Sequence, residues 1–162
     1  MKTLYLAGGC FWGTQRFFDQ FDGVKKTETG YANGPTDETD YKAVCASSGH
    51  AETVKVDFDE NEIGVSRLME YYFMIIDPTS VNKQGEDEGV QYRTGVYYEY
   101  ESLLPELKEA FAAEERKIGA PLMVELMPLM NFCPAEEYHQ KYLEKNPTGY
   151  CHIAPWLLDL KK

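Results

Sequence analysis

The sequence predicts an α+β fold: a two-layer sandwich with a ferredoxin-like split β-α-β-β-α-β core, extra helices and an irregular C-terminal tail. Two observations predict it. Segments with strand-like alternation and helix-like spacing follow one another as strand, helix, strand, strand, helix, strand between residues 3 and 98. The chain has 162 residues, 43% of them hydrophobic, and this is the length of one domain with one core. We therefore expect a single domain over residues 1–162.

The first half of the core begins with a strand. Residues 3–7 alternate between the two faces of a strand that ends at Gly8 and Gly9. Apolar residues at helical spacing then predict a helix from 11 to 21. A β-prone segment from 25 to 31 follows and ends at a turn.

The second half of the core repeats the order strand, helix, strand. Residues 53–59 alternate cleanly and predict a strand. Apolar side chains recur every three or four residues from 65 to 76, which predicts a helix. Residues 93–98 alternate again and complete the core.

Three further elements and a tail extend this core. We expect a helix over 105–117, with Gly119 as its C-terminal cap, and a strand over 124–129. The proline that opens residues 134–145 predicts a last helix there. Residues 146–162 contain prolines and a glycine without a period, and we expect them to form an irregular tail.

The charge balance excludes two classes of partner. The chain has 27 acidic against 16 basic residues, a net charge of −11. Such a surface repels nucleic acid phosphates and anionic lipids. The longest apolar run, residues 71–76, is far shorter than the roughly 20 residues of a membrane-spanning helix. We expect a soluble, cytoplasmic monomer.

One of the four cysteines stands out. Cys10 follows Gly8 and Gly9 at a strand-to-helix junction, whereas Cys45, Cys133 and Cys151 have no such setting. A helix N-terminus favours a thiolate and can lower the thiol pKa from about 8.5 to between about 3.5 and 7.5. The glycines allow a substrate to approach the sulfur closely. Cys10 is therefore a candidate nucleophile.

Two aromatic residues follow the candidate nucleophile. Phe11 and Trp12 would give Cys10 an apolar wall suited to a small apolar group such as a methyl. The spacing alone leaves open that both are ordinary core residues of the helix.

Several segments of the chain together resemble the motifs of one known family. The segment Gly-Cys-Phe-Trp-Gly at 9–13 resembles the signature of the peptide methionine sulfoxide reductase A family. Seven further segments match the family's motifs in the family's order: 29–32, 41–45, 49–52, 77–79, 85–93, 134–140 and 146–151. Together they cover most of the chain.

The resemblance implies an enzyme that repairs oxidised methionine without a metal or other cofactor. The family reduces the S epimer of methionine sulfoxide, free or in proteins. Cys10 would attack the sulfoxide sulfur as a thiolate and become a sulfenic acid. Glu52 matches the family's acid, which needs a pKa raised by burial. Without the resemblance, Glu52 would be interpreted as a solvated carboxylate at a strand edge.

The resemblance also implies the binding residues. Tyr31 and Tyr92 match hydroxyl groups that hydrogen-bond the sulfoxide oxygen. Phe11 and Trp12 match the pocket for the substrate's ε-methyl group. Asp87 matches a residue that binds the backbone region of the substrate.

Turnover requires a second thiol. Cys151 matches the family's resolving cysteine, which forms a disulfide with Cys10 that thioredoxin then reduces. Cys133 stands where the family more often has an aromatic residue, which makes it an alternative thiol or a packed core residue. Cys45 is interpreted as structural, and His50 and His139 as hydrogen-bonding support.

Three alternatives remain from the residues themselves. A low-pKa cysteine with a partner would also serve a thiol peroxidase, although no basic residue lies near Cys10 in sequence. A metal-binding module could use Cys133, His139, Cys151 and His152, although their spacing fits no common site. A domain that only binds methionine-rich partners is the third.

Overall fold

The computed structural model describes residues 1–160 and has an α+β fold, as predicted. Strands β1 to β8 span Lys2–Ala7, Val24–Ala32, Ala51–Phe58, Lys83–Gln84, Asp87–Glu88, Gly95–Tyr98, Glu125–Pro128 and Phe132–Pro134. Helices α1 to α5 span Phe11–Phe18, Tyr41–Cys45, Val65–Met74, Leu104–Ile118 and Tyr142–Lys145. Within the described residues, no helix is both long and apolar enough to cross a bilayer.

Six strands form one mixed sheet in the spatial order β7-β6-β1-β3-β2-β8. Strand β1 pairs antiparallel with β3 and β6, and β2 pairs antiparallel with β3 and β8. Strand β7 pairs parallel with β6. The short strands β4 and β5 form a separate hairpin, which the sequence did not predict, and neither did it predict α2 or β8.

The two faces of the sheet bury different side chains, because successive residues of a strand point to opposite sides. Leu4 and Leu6 of β1 lie in the large cluster that also contains the apolar faces of α1, α3 and α4. Tyr5, Ala7 and Tyr97 lie in a smaller cluster on the opposite face. The alternation predicted for β1 is confirmed.

Helix α1 ends three residues earlier than predicted. Its cap is Asp19, whose side chain accepts hydrogen bonds from the Thr27 hydroxyl on β2 and from Nζ of Lys141, the latter at 2.7 Å. The chain leaves the helix here, while Phe21 stacks on Tyr71 of α3 with ring centroids 4.2 Å apart. This contact requires an apolar side chain at residue 21, although the residue lies outside the helix. The apolar spacing therefore predicted a helix that is too long.

The helix predicted over residues 134–145 is wrong. The backbone N–H of Ala135 donates to the Thr29 carbonyl at 2.9 Å, which holds the chain at the edge of β2. The Gln140 amide accepts from Thr29 N at 2.9 Å and donates to Thr29 O at 3.0 Å. Lys141 is left-handed, with φ of +55°. The side-chain bonds thus replace a helix, and only the four-residue α5 forms.

The segment from 146 to 160 lies across α1. It contains a short 3-10 turn at Pro155–Asp159, and Leu157 within that turn is buried. The Gln20 amide donates to the Leu157 carbonyl at 2.9 Å, and Arg16 donates to the Leu158 carbonyl at 3.3 Å. Residues 161 and 162 of the predicted tail lie outside the described residues.

Candidate active site

Cys10 is the residue immediately before helix α1, where the chain turns from β1 into the helix. Gly9 precedes it with φ of +74°, a conformation that favours glycine. The N–H of Gly9 donates to the Tyr92 carbonyl at 3.2 Å, which fixes the turn against the segment after β5. The Cys10 side chain is buried, with 8% of the residue exposed.

Burial raises the pKa of the Cys10 thiol, and the nearby Glu52 adds to the effect. The backbone N–H of Trp12 acts in the opposite direction but is weaker. The expectation that the helix N-terminus lowers this pKa is therefore wrong. The sulfur gains one favourable N–H, but it loses water and faces carboxyl groups.

Glu52 on β3 is 1% exposed and lies beside the same turn. Its Oε1 accepts a hydrogen bond from the Phe11 backbone N–H at 3.3 Å. Its Oε2 is buried and has no hydrogen-bond partner among the described residues. Burial raises the pKa of Glu52 to about 8, with Asp87 adding to the rise and the Phe11 N–H opposing it. Glu52 is therefore mostly protonated at pH 7 and carries a proton it can donate.

The two predicted tyrosines both lie near this carboxyl group. Tyr31 on β2 is paired directly with Glu52, is fully buried, and donates its hydroxyl proton to Glu136 Oε1 at 2.7 Å. Tyr92 is half-buried at the end of a 3-10 turn. Burial is the largest cause of the raised pKa of each, followed by Glu136 for Tyr31 and by Glu52 for Tyr92. Both keep their hydroxyl protons at neutral pH.

Phe11 and Trp12 form an aromatic wall that is fixed from behind. The Trp12 ring stacks on Tyr142 with centroids 3.7 Å apart, and its Nε1 donates to His139 Nδ1 at 2.9 Å. The Phe11 ring lies 5.1 Å from the His139 ring and 5.6 Å from the Tyr31 ring. Because Phe11 is buried and Trp12 is half-exposed, the wall reaches from the core to the surface.

Asp87 on the β4–β5 hairpin contacts the C-terminal tail, and the tail also carries Cys151 to the start of α1. Asp87 Oδ2 accepts the Tyr150 hydroxyl proton at 3.0 Å. A β-carbon at Gly13 would lie 2.9 Å from Cys151 Sγ, so the absence of a side chain at 13 allows this sulfur to approach α1. All four cysteines are reduced thiols, and Cys151 is half-buried.

The other two cysteines lie on different elements. Cys133 on β8 is paired with Tyr31 and donates its thiol proton to the Thr39 carbonyl at 3.4 Å. Cys45 is exposed at the end of α2. In the part of the chain that the structure describes, no three histidine, cysteine or acidic residues are grouped so that they could hold a metal ion.

Comparison with known proteins decides the family. The family model of peptide methionine sulfoxide reductase matches residues 2–159. The chain belongs to this family. A peptide methionine sulfoxide reductase MsrA from Clostridium acetobutylicum is 49% identical over 159 residues, which is 98% of each chain. The MsrA of Lachnoclostridium phytofermentans is 48% identical over 162 residues, with 99% of this chain and 98% of the relative covered.

Solved structures agree with this assignment to the methionine sulfoxide reductases. Mxr1 from Saccharomyces cerevisiae in its reduced form has a TM-score of 0.88 and 36% identity, over 94% of this chain and 91% of that one. The same yeast protein in complex with Trx2 has a TM-score of 0.62 and 25% identity, over 87% and 84%. The chain is therefore an oxidoreductase of the methionine sulfoxide reductase family.

Two residues near the site were missed in the sequence. Glu136 accepts both the Tyr31 hydroxyl proton and the Tyr41 backbone N–H, the latter at 3.0 Å. Burial acts to raise the pKa of Glu136, but these hydrogen bonds lower it below its ordinary value. Tyr142 stacks on Trp12. Glu136 is one of several acids in its segment, and only the pairing of β8 with β2 shows which of them meets Tyr31.

Proposed function

We propose that this chain reduces the S epimer of methionine sulfoxide, free or in proteins, to methionine at Cys10. The observation that carries the proposal is the buried carboxyl group of Glu52 beside the Cys10 turn, where burial raises its pKa to about 8. Reduction of a sulfoxide needs a nucleophile for the sulfur and a proton for the oxygen. Family membership supports the substrate class.

In the first step, the Cys10 sulfur attacks the sulfoxide sulfur while Glu52 gives its proton to the sulfoxide oxygen. The sulfur–sulfur bond formed by the attack and the S–O bond of the substrate then break as the oxygen, with its proton, bonds to the Cys10 sulfur, which gives a sulfenic acid and methionine. The thiol proton of Cys10 returns to Glu52, so methionine leaves without net proton uptake. Because the pKa of Cys10 is raised, this proton movement must accompany the attack.

Substrate orientation follows from the surroundings of Cys10. The wall of Phe11 and Trp12 receives the ε-methyl group, the smaller of the two carbon substituents on the sulfoxide sulfur. Tyr92 hydrogen-bonds the oxygen together with Glu52, and Tyr31 joins them when its hydroxyl proton turns from Glu136 to the oxygen. Asp87 binds the backbone region of the substrate. Methyl and oxygen are thus bound on different sides of the sulfur, which selects one epimer.

Cys151 resolves the sulfenic acid. Its thiol attacks the Cys10 sulfur, a disulfide forms and water leaves. The proximity of Cys151 to Gly13, three residues beyond Cys10, supports this assignment over Cys133. Thioredoxin then reduces the disulfide, in keeping with the complex of yeast Mxr1 with Trx2.

We also propose that the chain acts as a cytoplasmic monomer with one catalytic domain. Its four central strands would form a ferredoxin-like split β-α-β-β-α-β core. The spatial order β6-β1-β3-β2, with every neighbouring pair antiparallel, supports this description of the core.

The test compares the two epimers with thioredoxin, thioredoxin reductase and NADPH. We expect NADPH consumption with the S epimer of a methionine sulfoxide peptide and at most a few per cent of that rate with the R epimer. Cys10→Ser should abolish both, while Cys45→Ser, which changes an exposed thiol, should not. Equal rates with both epimers, or faster turnover with hydrogen peroxide than with sulfoxide, would contradict the proposal.

A further inference from the structure

His152 is a half-buried side chain beside the site that the reaction described above does not use. Both of its ring nitrogens are buried and have no hydrogen-bond partner among residues 1–160. Buried polar side chains almost always have such a partner, and an exception needs an explanation. An imidazole that has no partner in the resting protein is available for a partner in the reaction.

The ring of His152 lies over the turn that carries Cys10. A β-carbon at Gly9 would lie 2.9 Å from Nε2 of His152. A β-carbon at Gly13 would lie 3.5 Å from Cε1 of His152 and 2.9 Å from Sγ of Cys151. The imidazole edge and the Cys151 sulfur are therefore neighbours on the same surface of α1. Glycine at both positions leaves room for them.

The charges suit a proton transfer from sulfur to imidazole. Burial lowers the pKa of His152, with Asp87 opposing this effect, so the ring is neutral and one nitrogen has a free lone pair. Burial raises the pKa of the Cys151 thiol. Its proton is directed to the Ile153 carbonyl at 3.6 Å. A protonated thiol is a poor nucleophile, and attack on a sulfenic acid requires that the proton be removed.

We propose that His152 is the base that takes the Cys151 thiol proton when Cys151 resolves the sulfenic acid, an inference that rests on the proposed function. The sulfur–sulfur bond to Cys10 forms as the S–O bond of the sulfenic acid breaks. The departing hydroxide takes the proton from His152 and leaves as water. Cys151 is oxidised and the sulfenic sulfur is reduced, so the step needs no other oxidant or reductant.

The test separates the two steps in a single turnover without reductant. Samples are quenched in acid, methionine is quantified, and the Cys10–Cys151 disulfide is measured by mass spectrometry after thiol alkylation. In His152→Gln we expect methionine release within twofold of the wild-type rate and disulfide formation slower by about 100-fold, the usual size of general base catalysis. The sulfenic acid should then accumulate and react with dimedone.

Chemical rescue distinguishes a base from a packing residue. His152→Ala leaves the space of the ring, and added imidazole should restore disulfide formation by about tenfold. Pyrazole has the same shape but is a much weaker base, and it should not restore it. Ile153→Val is the packing control, because it trims the adjacent buried side chain of the tail. This variant should form the Cys10–Cys151 disulfide at a rate within twofold of wild type.

Two results would overturn the proposal. One is a wild-type rate of disulfide formation in His152→Gln, and the other is rescue by pyrazole equal to that by imidazole. Failure of the proposed function looks different. If the wild-type chain releases methionine but never joins Cys10 to Cys151, the resolving role of Cys151 is wrong and the role of His152 with it. If the wild-type chain releases no methionine, the reductase proposal itself is wrong.

Discussion

Tyr31 and Glu52 are directly opposed residues of neighbouring antiparallel strands, and both are buried on the same face of the sheet. Strand register therefore sets the position of a hydroxyl beside a carboxyl group, and a slip of one residue would turn either side chain to the other face. The Phe11 N–H then joins the start of α1 to Glu52. Nucleophile, acid and hydroxyl are thus brought together by one sheet pairing and one helix start.

Removing the acid should stop the first step. Glu52→Gln keeps the size of the side chain and the acceptor for the Phe11 N–H but has no acidic proton. We expect the rate of methionine release in a single turnover to fall by about 10²–10⁴-fold, as for other general acids. A rapid-quench single-turnover experiment with S-sulfoxide substrate measures the rate of methionine release. A loss of less than threefold in a folded variant would show that Glu52 is not the proton donor.

The first step should also slow at high pH. Glu52 has a pKa of about 8 and must be protonated to act. The rate of methionine release should therefore decrease above about pH 8, and the decrease should approach tenfold for each further pH unit. The raised pKa of Cys10 would give the opposite trend if formation of its thiolate alone limited the rate. A rate that increases steadily from pH 7 to 9.5 would contradict the role of Glu52.

The same pKa predicts how stability varies with pH. The folded chain holds the Glu52 proton up to about pH 8, whereas the unfolded chain loses it near its ordinary value of 4.5. The folded state binds more protons in this window, so the contribution is present below 4.5 and is lost as the pH rises toward 8.

Glu52→Gln should remove the loss of stability between pH 4.5 and 8, because glutamine does not ionise. We expect it to raise the free energy of unfolding at pH 8 by roughly 4 kcal/mol, because the pKa of Glu52 rises from 4.5 to about 8 on folding and each pKa unit corresponds to about 1.4 kcal/mol. At pH 4.5 the variant and wild type should be nearly equal. Urea unfolding at the two pH values measures the difference. A variant that is less stable than wild type at pH 8 would contradict the raised pKa.

The patterns with a clear period could be predicted from the sequence, and the long-range contacts could not. The β1 strand and the positions of Cys10 and Glu52 follow from local alternation and motif. The helix expected over 134–145 does not form because Gln140 bonds to Thr29, more than a hundred residues earlier. The raised pKa of Cys10 likewise depends on how deeply the fold buries it.

Close approach of the tail to α1 should depend on Gly13. In Gly13→Ala the new β-carbon would come within 2.9 Å of Cys151 Sγ and 3.1 Å of Ile153 Cδ1, so the tail must move. We expect disulfide formation to slow by about fivefold or more, with methionine release little changed. Gly64→Ala is the control, since a β-carbon there meets nothing within 4 Å. Equal rates of disulfide formation in the two variants would argue against the observed packing of the tail.

Glu136 should hold the Tyr31 hydroxyl oxygen in place, so that its proton can turn to the substrate oxygen when substrate binds. Glu136→Gln replaces a charged acceptor by a weaker neutral one, and charge-assisted hydrogen bonds are roughly twice as strong as neutral ones. We expect kcat/KM for S-sulfoxide peptide to fall by about 5–10-fold. Glu137→Gln changes the exposed neighbouring acid and should stay within twofold. If both variants behave alike, the Tyr31–Glu136 contact has no part in substrate reduction.

One turnover without reductant tests both roles at once: the reduction of a sulfoxide by Cys10 and the resolution of the product by Cys151. Reduced protein is mixed with excess S-sulfoxide, and methionine, free thiols and the disulfide map are measured on the same sample. We expect about one methionine per chain, the loss of two of the four thiols, and a Cys10–Cys151 disulfide. No methionine, or a disulfide that joins Cys10 to Cys133 instead, would contradict it.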